Sequence, residues 1–252
     1  MVEKLYKGKK IKWGIAGCGR FAENSFLPAV RLTRRSAVTS LYSRDISRAK
    51  SLAEKFGVQN TFDNYDEFLK SDIDAVFVAS SNVHHYDQVI KAAKAGKNIL
   101  CEKPLAITSV QAEEMVKVCK ENNVLLAVNY VHRFHPLVIK AKELIVDQRL
   151  GKLVSIDVHF NIDSPPDNNF RFKKELSGGG ALRDIGTHVI DLLRYFGGEI
   201  ESINGVITNL IYQSEVEDFA LGTVKFAKSG FGTFNVSFNN KKAFNRIEIL
   251  CH

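Results

Sequence analysis

The apolar run Ile11–Ala16 leads straight into Gly17-Cys18-Gly19-Arg20-Phe21-Ala22. A short strand with no polar face must be buried on both sides, as in a parallel sheet covered by helices. G-x-G-x-x-A directly after such a strand predicts a tight turn into a helix. Gly17 permits the turn. Gly19 leaves the backbone open to a pyrophosphate, and Ala22 lets the helix pack closely, with its N-terminus toward the anion. The motif is weak alone; its place after the first buried strand and before a helix is the context it needs.

The first half keeps this rhythm. Ala37–Tyr42, Ala75–Ala79, Asn98–Leu100 and Leu125–Val128 read as further buried strands. Ser47–Phe56 and Asp87–Ala95 read as helices. So does the segment in which Ala112, Met115, Val116 and Cys119 form one apolar stripe. Gly57 and Gly96 stand where helix C-caps belong. Alternation of this kind predicts an α/β fold with a doubly wound parallel sheet over residues 1–130. The period then changes. Leu153–Phe160 and Gly232–Phe238 strictly alternate apolar and polar residues. With Ser202–Ile211, Phe219–Phe226 and Phe244–Leu250 they predict a large, open, mainly antiparallel sheet with one polar face. One helix, Leu182–Phe196, interrupts these strands and ends at Gly197-Gly198. Residues 131–252 are thus expected to form a second α/β domain that binds substrate and mediates oligomerisation.

A chain of 252 residues, 45% hydrophobic and 25% charged, suits two globular domains. Its first twelve residues carry five lysines and no apolar core, so no secretory signal is expected. No apolar run approaches the ~20 residues that a membrane helix needs. The four cysteines have neither C-x-x-C nor metal-ligand spacing. They read as free thiols in a reducing, cytoplasmic compartment, and no metal is expected. The net charge of +7 is mixed with 28 acids and no aromatic-interleaved basic stripe. A nucleic-acid partner is therefore not expected; a phosphorylated cofactor or simple solubility accounts for the charge.

An acid that holds the adenosine ribose of NAD is expected at the end of the second strand. Here Ala37–Tyr42 runs into Ser43-Arg44-Asp45, with Arg48 one turn on. A hydroxyl followed by arginines suits the 2′-phosphate of NADP, which is favoured. Asp45 keeps NAD open as the alternative. Two segments carry chemistry. Glu102-Lys103-Pro104 follows the strand Asn98–Cys101, so Lys103 falls at the carboxyl edge of the sheet, where it can donate to a substrate hydroxyl. Gly178-Gly179-Gly180-Ala181-Leu182-Arg183-Asp184-Ile185-Gly186-Thr187-His188-Val189-Ile190-Asp191 places Asp184 and His188 at i, i+4, on one helix face. His188 can take or return a hydroxyl proton. Asp184 can bind a second hydroxyl or set the protonation of His188, and the glycine run admits close backbone approach to a ligand. No zinc-ligand set and no G-x-S-x-G is present.

In order along the chain stand G-I-A-G-C-G-R, Asn82-Val83-His84-His85 leading to Ala95-Gly96-Lys97, Glu102-Lys103-Pro104, Tyr130-Val131-His132-Arg133-Phe134 and the G-G-G-A-L-R-D-I-G-T-H-V-I-D segment. Together they resemble the Gfo/Idh/MocA family of oxidoreductases. The resemblance covers nearly the whole chain. It implies a Rossmann domain plus an α/β domain with a large open sheet. It also implies hydride transfer between NAD(P) and a secondary alcohol or carbonyl of a sugar, sugar derivative or cyclitol. The family's catalytic lysine falls on Lys103, and its Asp and His pair on Asp184 and His188. Implied cofactor contacts are Gly17, Gly19, Arg20, Phe21, Ser43, Arg44, Arg48, Ser80, Asn82, His85, Glu102 and Lys103. Implied substrate contacts are Tyr130, Arg133, Asp184 and His188. Ser81 departs from the family's usual proline before Asn82. Substrate choice is expected on the loops Asp163–Phe172 and Lys241–Asn245. The second domain looks unfinished at Ile249–His252, so an exposed sheet edge and a homo-oligomer through the C-terminal sheet are expected. The alternative to an enzyme is a catalytically silent, cofactor-binding sensor or interaction protein.

Overall fold

The structure is a computed structural model and describes residues 10–252; most of the lysine-rich opening of the chain lies outside the described residues. Two compact units divide between Asn129 and Tyr130.

The first unit is a six-stranded parallel sheet in the order β3-β2-β1-β4-β5-β6. Its strands are β1 (Ile11–Ala16), β2 (Ser36–Tyr42), β3 (Asn60–Phe62), β4 (Ala75–Val78), β5 (Asn98–Cys101) and β6 (Leu126–Val128). The helices are α1 (Leu27–Arg31), α2 (Ile46–Phe56), α3 (Tyr65–Lys70), α4 (His85–Lys94) and α5 (Ser109–Glu121). All of β4 is buried, as a central strand with helices on both faces requires. Local chemistry sets the helix ends. The Asp45 carboxylate accepts the Ser47 N–H to start α2, which stops at Gly57 with φ +65°. Asn64 caps α3 and Thr108 caps α5 in the same way. β3 and α3 are not read from the sequence: a three-residue edge strand, Asn-Thr-Phe, has no periodicity to show.

The order reverses between β1 and β4, so the carboxyl ends of these strands border the switch point at which open α/β sheets bind ligands. Phe26 stacks on Phe77 of β4 at 4.0 Å and holds the first helical segment against the sheet.

The second unit holds a five-stranded sheet in the order β11-β7-β10-β9-β8. These are β7 (Leu153–Asp163), β8 (Ile200–Thr208), β9 (Phe219–Phe226), β10 (Phe231–Ser237) and β11 (Asn239–Cys251), with α6 (Pro136–Val146), α7 (Lys174–Ser177) and α8 (Thr187–Gly197). Three strands, β7, β9 and β10, alternate buried and outward residues as expected, whereas β8 is exposed along most of its length; Val189, Leu192, Leu193 and Phe196 of α8 pack on the inner face. The sheet is mainly antiparallel, with one exception. β10 runs parallel to β7, because the chain passes through α7, α8, β8 and β9 before it returns. Alternation reports which face a residue takes; it is silent on strand direction. Lys241–Asn245, expected as a loop, lies inside β11 at a register shift.

The connection from β8 to β9 is irregular yet fully tied. Asp218, 2% exposed, accepts the backbone N–H groups of Leu210, Ile211 and Tyr212 at 2.7–2.9 Å. Burial pushes its pKa up, but the three N–H donors outweigh burial and hold it below the usual carboxylate range. Asn209 Nδ2 lies within 3.1 Å of the carbonyl oxygens of Tyr212, Ser214 and Val216.

Candidate active site

The two glycines of the first turn do different work. Gly17 has φ +113°, and a Cβ there would stand 2.5 Å from the Ser80 nitrogen and 2.6 Å from the Ala79 carbonyl. Its N–H donates to the Tyr42 carbonyl at 2.9 Å. Gly17 is therefore packed by the chain itself, between the ends of β2 and β4. Among the described residues, Gly19 has no atom within 4 Å of where a Cβ would be. Backbone at that point is open, which is the clearance a pyrophosphate needs. Ala22 is fully buried, as the motif requires, while Arg20 and Phe21 are exposed beside the turn. Ala22–Phe26 is π-helical, with the Leu27 N–H reaching the Ala22 carbonyl. Such turns are rare and collect at functional sites.

At the end of β2, the Ser43 hydroxyl accepts the Asp45 N–H at 3.2 Å. The Asp45 carboxylate is engaged by the Ser47 N–H and hydroxyl, and by Arg48 Nε at 3.4 Å. Arg48, expected as a cofactor contact, is thus paired with Asp45. Arg44 is exposed and its side chain makes no ion pair among the described residues. Burial and then the Arg44 charge hold His84 below the ordinary histidine range.

His85 is 1% exposed. Its Nδ1 lies 2.9 Å from the Pro104 carbonyl oxygen and its Nε2 3.1 Å from the Ser80 carbonyl oxygen. His85, read as an implied cofactor contact, forms a buried tie between the loop after β4 and the residue following Lys103. Burial lowers the His85 pKa, opposed by these carbonyls. Ser80 Oγ donates to Gln88 Oε1 at 2.8 Å, Asn82 is buried beside it, and Asn129 Nδ2 donates to Glu102 Oε1 at 2.5 Å. Ser80, Asn82, Glu102 and Lys103 thus gather at the carboxyl ends of β4 and β5.

In the second unit, His188 meets His132 edge-on, with ring centroids 4.7 Å apart and an interplanar angle of 88°. Tyr130 lies edge-on to His188 at 6.0 Å, and His132 in turn meets Phe160 at 5.1 Å. Burial, then the Asp191 charge, raises the Tyr130 pKa. Asp184 is paired with Arg171, Nε to Oδ2 at 3.3 Å. Asp184 lies within the π-helical turn Leu182–Gly186, and His188 lies in the first turn of α8, which begins at Thr187. Arg133, expected at the substrate, forms a bidentate pair with Asp191, Nε–Oδ2 2.7 Å and Nη2–Oδ1 2.5 Å, and lies over the Tyr195 ring. It ties the Val131–Phe134 turn to α8.

The glycine run is explained by the protein's own backbone. A Cβ on Gly180 would overlap the Glu217 carbonyl oxygen, and Gly178 is the left-handed cap of α7. The ligand approach expected there is replaced by close packing against the residue before Asp218. His132, Arg171, Asp191 and Glu217 are missing from the residues read from sequence. His132 and Asp191 stand inside the quoted motifs, whereas Arg171 and Glu217 carry no local signal.

These contacts predict that Gly17→Ala lowers the stability of the cofactor-free protein by about 3 kcal/mol, whereas Gly19→Ala leaves it within about 0.5 kcal/mol of wild type. Thermal or denaturant unfolding of the two variants reads the difference; equal losses would contradict the assignment of Gly17 to packing and Gly19 to clearance.

Residues 11–130 match the profile described as "Oxidoreductase family, NAD-binding Rossmann fold", and residues 138–252 match the GFO/IDH/MocA C-terminal domain. "Oxidoreductase P35" of Formosa agariphila is 32% identical over 77% of this chain and 63% of its own length. Levoglucosan dehydrogenase of Pseudarthrobacter phenanthrenivorans is 33% identical over 84% of this chain and 55% of its own. The 1,5-anhydro-D-fructose reductase of Ensifer adhaerens is 29% identical over 94% and 72%. The chain thus spans less than two thirds of the length of the first two. Among solved structures, levoglucosan dehydrogenase in complex with NADH superposes with a TM-score of 0.88 at 27% identity, covering 96% of this chain and 71% of that one. The WlbA dehydrogenase of Bordetella pertussis with NADH and UDP-GlcNAcA gives 0.91 at 25%, covering 98% and 73%. With both parts of the chain matched in order, the protein belongs to the Gfo/Idh/MocA oxidoreductase family.

Proposed function

We propose that this chain is an NAD(P)-dependent oxidoreductase acting on a secondary alcohol, or the matching carbonyl, of a sugar, sugar derivative or cyclitol. The open backbone at Gly19, beside a Gly17 that the chain itself fills, carries the reading, because it leaves room for a pyrophosphate at the switch point, with no atom of the described residues within 4 Å of a Cβ placed there. The substrate class is supported by the names of relatives, which include sugar dehydrogenases and reductases.

Gly17, Gly19, Arg20 and Phe21 would hold the pyrophosphate, with Ser43 and Arg44 at the adenosine ribose and Ser80, Asn82 and Glu102 nearer the nicotinamide. Bound there, the nicotinamide supplies or takes up the hydride. Everything else falls to side chains. His188 takes or returns the hydroxyl proton, and Lys103 serves as a hydrogen-bond donor that favours the ionised form of a substrate hydroxyl. Asp184, held by Arg171, binds a neighbouring hydroxyl. Tyr130 walls the imidazole, and Arg133 acts through Asp191 to hold the Tyr130 segment rather than as a direct ligand.

NADP is the favoured cofactor. Asp45 is occupied as the cap of α2 and partner of Arg48, while Arg44 is exposed with no ion pair among the described residues. The same reading carries a reducing, cytoplasmic setting, supported by four free thiols; no helix among the described residues is long and apolar enough to cross a membrane. It also carries a homo-oligomer through the second sheet, supported by the exposed side chains Val206, Leu221, Phe231 and Leu250 on the face away from α8. Light scattering is expected to show at least a dimer at micromolar concentration, and a monomer would contradict it.

Two further outcomes test the chemistry. Arg44→Ala should weaken NADPH by on the order of 10–100-fold, the cost of one charge-assisted phosphate contact, and leave NADH unchanged; calorimetric titrations in which the variant weakens both equally would sink the NADP assignment. Lys103→Ala and His188→Ala should each lower turnover by roughly two to four orders of magnitude, with dinucleotide affinity retained in His188→Ala. Initial rates on a panel of pyranoses, anhydrosugars, nucleotide sugars and cyclitols read this, and a variant that turns over at the wild-type rate removes that residue from the chemistry.

A further inference from the structure

We propose that Glu217 is the positioning residue of the Asp184 and His188 pair, a role that rests on the catalytic reading of His188 above. Its side chain and main chain together engage three consecutive amides at the head of the turn that carries both residues. Oε2 accepts the Gly180 N–H at 2.8 Å, Oε1 accepts the Leu182 N–H at 3.0 Å, and the Glu217 carbonyl accepts the Ala181 N–H between them at 2.9 Å. The first N–H groups of a helix have no partner inside it. Here one residue takes three of them, and its carboxylate lies at the positive end of the backbone dipole.

The grip is specific in two further respects. Glu217 can come this close only because Gly180 has no side chain. The Gly180 carbonyl in turn accepts the Asp184 N–H at 2.8 Å, so the Gly180 peptide is held by Glu217 on one side and holds Asp184 on the other. Glu217 itself is fixed from behind. Asp218 anchors the backbone N–H groups of Leu210–Tyr212, and Glu215 accepts the Lys174 N–H at 3.1 Å at the start of α7. Phe219 then enters β9. The three acids Glu215, Glu217 and Asp218 thus each bind main-chain amides and reference the π-helical turn to the sheet. Loss of the Glu217 carboxylate frees the Gly180 and Leu182 amides and lets the turn relax. Asp184 then moves relative to Arg171, and His188 relative to the Tyr130 and His132 rings that face it.

The test compares Glu217→Gln, which keeps one acceptor oxygen, with Glu217→Ala, which keeps none. Amide hydrogen exchange at Gly180–Leu182 and the imidazole titration of His188, both read by NMR, report the clamp without any substrate. Both variants should exchange these amides faster and displace the His188 titration midpoint, Ala more than Gln. NADPH affinity should stay at the wild-type value, since the phosphate turn is in the other unit. With a substrate from the sugar panel, kcat should fall on the order of 10–100-fold in Glu217→Ala and by less in Glu217→Gln, with KM for the dinucleotide unchanged. If the Ala variant does not fold, the Gln variant decides. A folded Gln variant with wild-type exchange, titration and kcat overturns the proposal. A moved titration together with full turnover by His188→Ala overturns the catalytic reading alone, and an unmoved titration with an inactive His188→Ala overturns the clamp alone.

Discussion

Two close approaches of backbone to backbone, each possible only at a glycine, organise the chemistry-bearing parts of this chain. At Gly17 the turn after β1 is pressed against Ala79 and Ser80, at the end of β4. At Gly180 the turn before α8 is pressed against Glu217, at the start of β9. In both places a side chain would force the strand end and the helix head apart. Both helical segments also open with a π-helical turn, Ala22–Phe26 and Leu182–Gly186. We read this pairing as one device used twice: a tight loop delivers the chain into a wide turn, and that turn sets where the following side chains point.

Around these fixed points, polar groups are held by main chain or by buried partners. His85 joins the Ser80 and Pro104 carbonyls. Arg133 is forked onto Asp191, and Asp218 collects three amides. An unpaired polar group in such surroundings costs about 1–3 kcal/mol, so these ties favour one arrangement of each half of the machinery. Against these ties stand the unobstructed backbone at Gly19 and the exposed Arg44.

Much of this was legible in the residues. Ile11–Ala16 coincides with β1, as a run without a polar face suits a strand buried on both sides, and the strictly alternating Leu153–Phe160 falls within β7. What escaped was decided by residues distant in sequence. The partner of Arg133 stands 58 residues away at Asp191, and the reason for Gly180 stands 37 residues away at Glu217. The parallel pairing of β7 with β10 follows from the intervening connections, which alternation cannot report. The π-helical turn at Asp184 escaped as well, since i, i+4 spacing carries no sign of where the bonding widens to i→i+5.

The account turns on Gly19 as open backbone kept for a phosphate while Gly17 is filled by the chain. Calorimetric titration of NADPH into the wild type and into Gly19→Ala addresses this without knowledge of the substrate. The account predicts that the wild type binds and that Gly19→Ala, with its fold intact, loses affinity by on the order of 100-fold, the cost of displacing a charge-assisted contact from the cradle. Undiminished binding by Gly19→Ala, or no binding by the wild type, would contradict it.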